Sequence, residues 1–124
     1  MNDTTELEDG WKFGDFDFTD NNLMNLQSAD QRENYLEKID SALTIHQALW
    51  ESYQKDIEFG KTRSADLENQ IFLENNDTQK KDLENKLGLT RLAQRFAEES
   101  FIDNVIVTVE LVRKRDLIVN HIII

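Results

Sequence analysis

From Leu36 onward the bulky, largely apolar side chains recur at alternating steps of three and four residues: Leu36, Ile39, Leu43, His46, Trp50, Tyr53 and Ile57. Such steps carry the chain through almost one helical turn each, so these side chains form one stripe while Glu37, Lys38, Asp40, Glu51 and Lys55 fall on wetter faces. This is the a/d seam of a heptad repeat, and it commits the chain to a long helix that must bury the stripe against another helix. Ser28 followed by Gln31 supplies a capping box at the start of that helix. The absence of proline suits long uninterrupted helices.

Beyond Ile57 the pattern weakens. Phe59-Gly60-Lys61-Thr62-Arg63-Ser64 reads as an interruption, with Gly60 as a C-cap or kink and Ser64 as a new N-cap. A seam that runs straight through is the alternative, because Ser64, Leu67 and Ile71 keep the register of Ile57. Glu74, Thr78 and Lys81 would then occupy seam positions, and "ENNDTQ" predicts a loop or hinge. Helical spacing returns with Leu83, Leu87, Leu92 and Phe96, supported by an i,i+4 pair of Asp82 and Lys86.

In the C-terminal third two periods compete. Val105, Val107, Val109 and Leu111 alternate as in a strand, whereas Phe101, Val105, Val109 and Val112 share one helical face. Helix is preferred, since no Gly or Pro separates this stretch from "LTRLAQRFAEES" and "RKRD" lacks the residues of a tight hairpin turn. Strand is the competing reading for residues 101–124. The expected fold class is all-α: a disordered acidic tail over residues 1–27, then a long helical hairpin or coiled coil over residues 28–124. One helix alone offers the seam too little facing surface, so the body is not expected to be a stable monomer unless its second half folds back. The end, "LIVNHIII", is expected to dock on a larger assembly, with packing on the chain's own helices as the alternative.

Charge is unevenly placed. Residues 1–27 hold seven acids and one base, −6 of the −11 total. So acidic a chain is repelled by nucleic-acid phosphate and anionic membranes, and Arg113-Lys114-Arg115 is too short to reverse this, so no direct nucleic-acid binding is expected. With no cysteine there is neither a disulfide nor a thiolate metal site, which fits a reducing compartment. No basic-apolar leader and no apolar run of about 18–20 residues is present, so a cytoplasmic location without a transmembrane segment is expected. The sequons at Asn2 and Asn76 are then chance matches.

Chemistry-bearing constellations are sparse. His46 falls within the stripe and reads as a seam residue, and His121 lies near the chain end. Asp15, Asp17 and Asp20 imitate metal-loop spacing, but Phe16 and Phe18 interleave with them and the terminal bidentate Glu is missing. No phosphate loop, nucleophile elbow or zinc spacing occurs. The expectation is a non-enzymatic protein with no catalytic residue, metal or cofactor.

The tail itself poses a question, because "EDGWKFGDFDF" sets Trp11, Phe13, Phe16 and Phe18 among Glu8, Asp9, Asp15 and Asp17. Read as a linear motif, its rings are apolar anchors for a partner's pockets, Gly14 lets the backbone pass close to the partner, and the acids steer it toward a basic domain. The expected partner-binding residues are Trp11, Phe13, Gly14, Asp15, Phe16 and Phe18. Folding back to pack the rings on the helices is the alternative.

Phe13-Gly14-Asp15-Phe16, preceded by Glu6, Glu8 and Asp9, resembles the acidic phenylalanine motifs with which clathrin-adaptor accessory proteins of the aftiphilin and γ-synergin type bind the ear domains of AP-1 γ and GGA proteins. The resemblance implies that Phe13 and Phe16 fill pockets, Gly14 makes the bend and Asp15 supplies the acid. Phe16-Asp17-Phe18 also looks like the FDF peptides of decapping scaffolds that bind a DEAD-box helicase. The first resemblance implies an accessory subunit in vesicle trafficking: cytoplasmic, peripheral at Golgi or endosomal membranes through its partners, with a tail for an adaptor ear domain and a helical body that self-associates or joins a helical partner. The competing readings are a structural subunit of a tether or kinetochore-like helical complex, and an acidic nucleic-acid mimic.

Overall fold

A computed structural model describes residues 10–121. Its element order is β1 (Lys12–Phe13), β2 (Phe16–Asp17), α1 (Asp20–Leu23), α2 (Ala29–Leu73) and α3 (Asp77–Asn120). The fold is all-α in character: α2 and α3 are two long helices packed against each other as a helical hairpin. The C-terminal third is helix up to Asn120. The contacts divide the chain into two compact units, one comprising residues up to His46 together with Val107 onward, the other Gln47–Ile106.

The capping box forms at the start of α2, where Ser28 Oγ accepts from the Gln31 amide at 3.1 Å. The Gln31 side chain reaches one residue further back than the motif requires, accepting from the Gln27 amide at 2.8 Å. The expected interruption at residues 59–64 is absent and α2 is continuous. Gly60 and Ser64 are buried seam residues in register with Leu67 and Ile71. "ENNDTQ" does turn the chain: Glu74 Oε1 accepts from the Asn76 amide at 3.0 Å, and Asn76 Oδ1 caps α3 by accepting from the Gln79 amide at 3.1 Å. Asp82 and Lys86 are paired at 3.2 Å.

In the second unit the seam of α3 is Leu83, Leu87, Thr90, Gln94, Ala97, Phe101 and Asn104, all buried or half-buried. This corrects the face read from the sequence, because Leu92 and Phe96 belong to the exposed side. Trp50 and Phe101 meet edge to face, with ring centroids 5.1 Å apart. Leu67 is the most deeply buried side chain here, while the buried Ser64 hydroxyl lacks a hydrogen-bond partner among the described residues. A β-carbon on Gly60 would lie 2.9 Å from Gln94 Cβ, so the missing side chain permits the local approach of the two helices.

The first unit holds the principal core: Phe18, Leu23, Leu26, Tyr35, Ile39, Leu111 and Ile118. Three of these lie within residues 10–27, the part of the chain expected to be a disordered tail. Residues 1–9 of that tail lie outside the described residues; residues 10–27 are folded. β1 and β2 form an antiparallel hairpin pairing Lys12 with Asp17 and Phe13 with Phe16, and Gly14 takes the left-handed φ of 58° that its turn requires. Of residues 117–124, expected to dock or else to pack on the chain's own helices, Ile118 is buried in this core and Leu117 packs against it, which is the second alternative, while residues 122–124 lie outside the described residues. On α3 the inward positions of this unit are Leu111, Lys114 and Ile118, whereas Val109 and Val112, read as sharing a helical face with Phe101 and Val105, are exposed.

Candidate functional site

The aromatic residues expected to await a partner are largely committed to the chain's own core. Phe18 is buried, and Trp11 and Phe16 are half-buried. Phe16 and Phe18 stack on each other at 5.9 Å, and each meets Tyr35 with centroids 5.1 Å apart. Tyr35 Oη also accepts from the Asp17 amide at 2.9 Å and from Asn22 Nδ2 at 3.2 Å, so the ring that receives the phenylalanines anchors the hairpin backbone as well. Phe13 is 50% exposed, and Gly14 and Asp15 stand exposed beside it at the turn. The six expected binding residues therefore fall into two groups: Phe13, Gly14 and Asp15 outside, and Trp11, Phe16 and Phe18 against the helices.

The carboxylates of this segment find partners far along the chain. Asp20 takes a bidentate contact from Arg113 at 2.9 and 3.0 Å, and its Oδ1 accepts from Lys114 Nζ at 2.9 Å. Lys114 is 0% exposed; its ammonium also donates to the Phe18 carbonyl at 2.8 Å and lies 4.9 Å from the centre of the Trp11 ring. The Arg113 hydrogen bond, with help from Lys114, holds the Asp20 carboxyl below its ordinary range, and Arg113 does the same for Glu110. For Asp17 burial acts upward, but hydrogen bonds from Thr19 outweigh it and the net displacement is downward. Arg115 pairs with Asp40 at 2.7 Å. The basic triplet that stood out in the sequence is thus occupied by ion pairs within the first unit and offers no free phosphate-binding patch.

His121 is held at the end of α3. Its Nε2 lies 2.8 Å from the Leu26 carbonyl, and Arg32 donates to the carbonyls of His121 and Val119 at 3.3 and 3.2 Å, covering the last turn of α3. His46 lies at the seam and lines an apolar pocket of about 300 Å³ walled by Trp11, Phe13, Phe18, Ile39 and Leu111, with Lys38 at its edge. No group of three or more His, Asp or Glu side chains among the described residues is placed to hold a metal ion. No helix among them is long and apolar enough to cross a membrane.

A feature that sequence reading missed is the outward side of α3 in the second unit. Leu89, Leu92, Phe96, Ile102 and Ile106 are all exposed there, while Thr90, Gln94 and Asn104 occupy the inward seam. Beside them opens a groove of about 420 Å³ whose lining includes Tyr53, Phe59, Leu89, Ala93 and Phe96. Phe59 and Phe96 are each 70% exposed. The signal was present in the sequence, because Leu89, Leu92 and Phe96 keep a three–four spacing of their own, displaced from that of Leu83 and Leu87. Comparison with known protein families, with curated proteins and with solved structures finds no match to this chain.

Proposed function

We propose that the chain is a non-enzymatic interaction protein, an accessory subunit that joins a larger assembly through a helical partner. One observation supports this above the others: α3 turns Leu89, Leu92, Phe96, Ile102 and Ile106 to its outer side although its seam already holds Leu83, Leu87, Ala97 and Phe101. Leu89, Leu92 and Phe96 follow one another at three- and four-residue steps on that side, clustered exposed apolar residues mark protein interaction sites, and a helix with two apolar faces is suited to contacts on both. A photo-crosslinking amino acid at Leu92, introduced in cells, is expected to yield a discrete adduct with a helical protein, and the same group at the exposed Asn69 is expected to yield none. Absence of an adduct at Leu92 would count against the proposal. A tether or kinetochore-like complex is one assembly that such a subunit suits.

A second surface favours a role in vesicle trafficking. Phe13, Gly14 and Asp15 stand exposed at the hairpin turn, and these carry three of the four positions that resemble an ear-binding motif. On this reading the protein is a cytoplasmic clathrin-adaptor accessory at Golgi or endosomal membranes, peripheral through its partners. Phe16 has to leave Tyr35 before the fourth position can be offered. A peptide of residues 1–27 is expected to bind a purified γ-ear domain with micromolar affinity and to lose that affinity on Phe13→Ala or Phe16→Ala substitution. Failure of the unconstrained peptide to bind would remove the reading. The nucleic-acid mimic has less support, because Asp20 and Asp40 are turned to bases of the same chain.

A further inference from the structure

We infer that the groove of the second unit takes an amphipathic helix with basic flanks. The inference rests on the helical-partner reading and adds to it the chemistry of the partner. The groove of about 420 Å³ lies between Phe59 of α2 and Leu89 and Phe96 of α3, with the small, exposed Ala93 between the last two. Leu89, 69% exposed, and Phe96 stand seven residues apart on one helix, about 10.5 Å along its axis. That distance matches the i and i+7 anchors of a helix laid in a groove, and the small Ala93 between them lets the incoming helix come close.

Within the first unit the corresponding heptad positions are already covered. Tyr35 and Ala42, each one residue before a seam position, pack with the aromatic segment of residues 11–18. In the second unit the same register positions are Leu49 and Asp56 on α2 and Ala93 on α3, and all three are exposed. An apolar segment covers this register once within the chain; the second stretch has no such cover among the described residues.

Charge selects the occupant. One heptad on either side of the row formed by Leu89 and Phe96 stand Asp82 and Asp103, one heptad beyond Phe59 stands Asp66, and Asp56 lines the groove. Lys86 pairs with Asp82, so these two charges offset each other, and Arg63 lies one heptad beyond Asp56; Asp66 on the side of the turn and Asp103 on the other side are the acids that flank the apolar pair. The groove therefore reads acid, apolar, apolar, acid, with Asp66 of α2 and Asp103 of α3 at its ends. A helix with apolar residues at its centre and Lys or Arg about one heptad to either side meets both features. A second copy docking antiparallel through this row would oppose Asp82 to the other copy's Asp103, and each copy brings a net charge of −11.

The test uses the full chain and two fluorescently labelled helical peptides that differ only in flanking charge: leucine at the a and d positions with lysine flanks, and the same seam with glutamate flanks. The lysine peptide is expected to bind, the glutamate peptide at least tenfold more weakly, and Phe96→Ala to weaken the lysine peptide more than tenfold, as loss of a central aromatic anchor does. Phe96 is exposed, so circular dichroism of that variant is expected to show unchanged helicity and melting. Equal binding of both peptides, each weakened by Phe96→Ala, overturns the charge selection while the docking reading stands. Lysine-peptide binding that is indifferent to Phe96→Ala is non-specific and overturns the groove. A wild-type dimer in sedimentation that Phe96→Ala dissociates makes a second copy the occupant. If neither peptide binds, the proposal is overturned, and the helical-partner reading then stands or falls on the Leu92 adduct.

Discussion

The same substitution placed at two glycines of the hairpin is expected to act with opposite sign. Gly60 and Gly88 are both interior to helices, where replacing Gly by Ala ordinarily stabilises by about 1 kcal/mol. At Gly88 a β-carbon meets nothing within 4 Å, so Gly88→Ala should deliver that gain. At Gly60 the new atom would stand 2.9 Å from Gln94 Cβ and 3.1 Å from Gln94 Cγ. The nearer atom is fixed to the opposing backbone and cannot rotate away, so the helices have to separate locally, at an overpacking cost of about 1–3 kcal/mol. The net for Gly60→Ala is a loss of about 0–2 kcal/mol, and the two variants should differ by about 1–3 kcal/mol. Urea unfolding followed by far-ultraviolet circular dichroism measures both. Gln94→Ala should not rescue Gly60→Ala, because it keeps the offending Cβ, whereas Gln94→Gly should relieve the clash at its own helix-propensity cost. If Gly60→Ala stabilises as much as Gly88→Ala, the two helices are not in contact at Gly60 and the seam described here is wrong.

Other expectations concern the first unit. Asp20→Asn removes the carboxylate facing the buried Lys114 and is expected to cost about 3–5 kcal/mol, less whatever water supplies at the part-exposed Asp20; Lys114→Met in the same chain should recover most of it. Because the folded pKa of Asp20 and Glu110 lies below the ordinary value, their contribution to stability is present above the ordinary carboxylate range and is lost as pH falls below it through the folded values; tryptophan fluorescence followed on acidification should report loosening around Trp11. Leu23→Ala, at a fully buried site, should cost about 2–5 kcal/mol by chemical denaturation, whereas a truly disordered tail predicts no change. Deleting residues 117–124 removes the fully buried Ile118 and should lower thermal stability sharply; an unchanged melting curve would show that this end is not core.

The long helices were legible because heptad spacing is a local property. Leu36, Ile39, Leu43, His46, Trp50, Tyr53 and Ile57 announce α2, and the Asn and Asp residues near residue 76 announce the turn. What the sequence hid was pairing across distance. The tail looked too charged to fold because Asp17 and Asp20 were counted as isolated carboxylates, and the bases that receive Asp20 lie more than ninety residues away. The seam of α3 was misread for a related reason. Its buried positions include Thr90, Gln94 and Asn104, accepted where the opposing helix comes close, so the more apolar Leu92 and Phe96 drew attention to the face that is in fact exposed. Gly60 misled in the same way, since only the facing Gln94 distinguishes a packing glycine from a helix breaker.

The ties between Arg32 and the last turn of α3, and between His121 and Leu26, bear on the order in which the molecule can assemble. They span separations of 87, 89 and 95 residues, and those of Asp20 with Arg113 and Lys114 span 93 and 94. The turn at residues 74–76 needs almost no loop closure, so the helices can zip from there, while Phe18, Leu23 and Leu26 meet Tyr35 and Ile39 early but lack Leu111 and Ile118 until α3 has been made. On the ribosome Phe18, Leu23 and Leu26 are made well before Leu111 and Ile118, which complete their burial. Nascent chains stalled before Lys114 should therefore keep these residues open to protease, and chains released beyond Ile118 should close them.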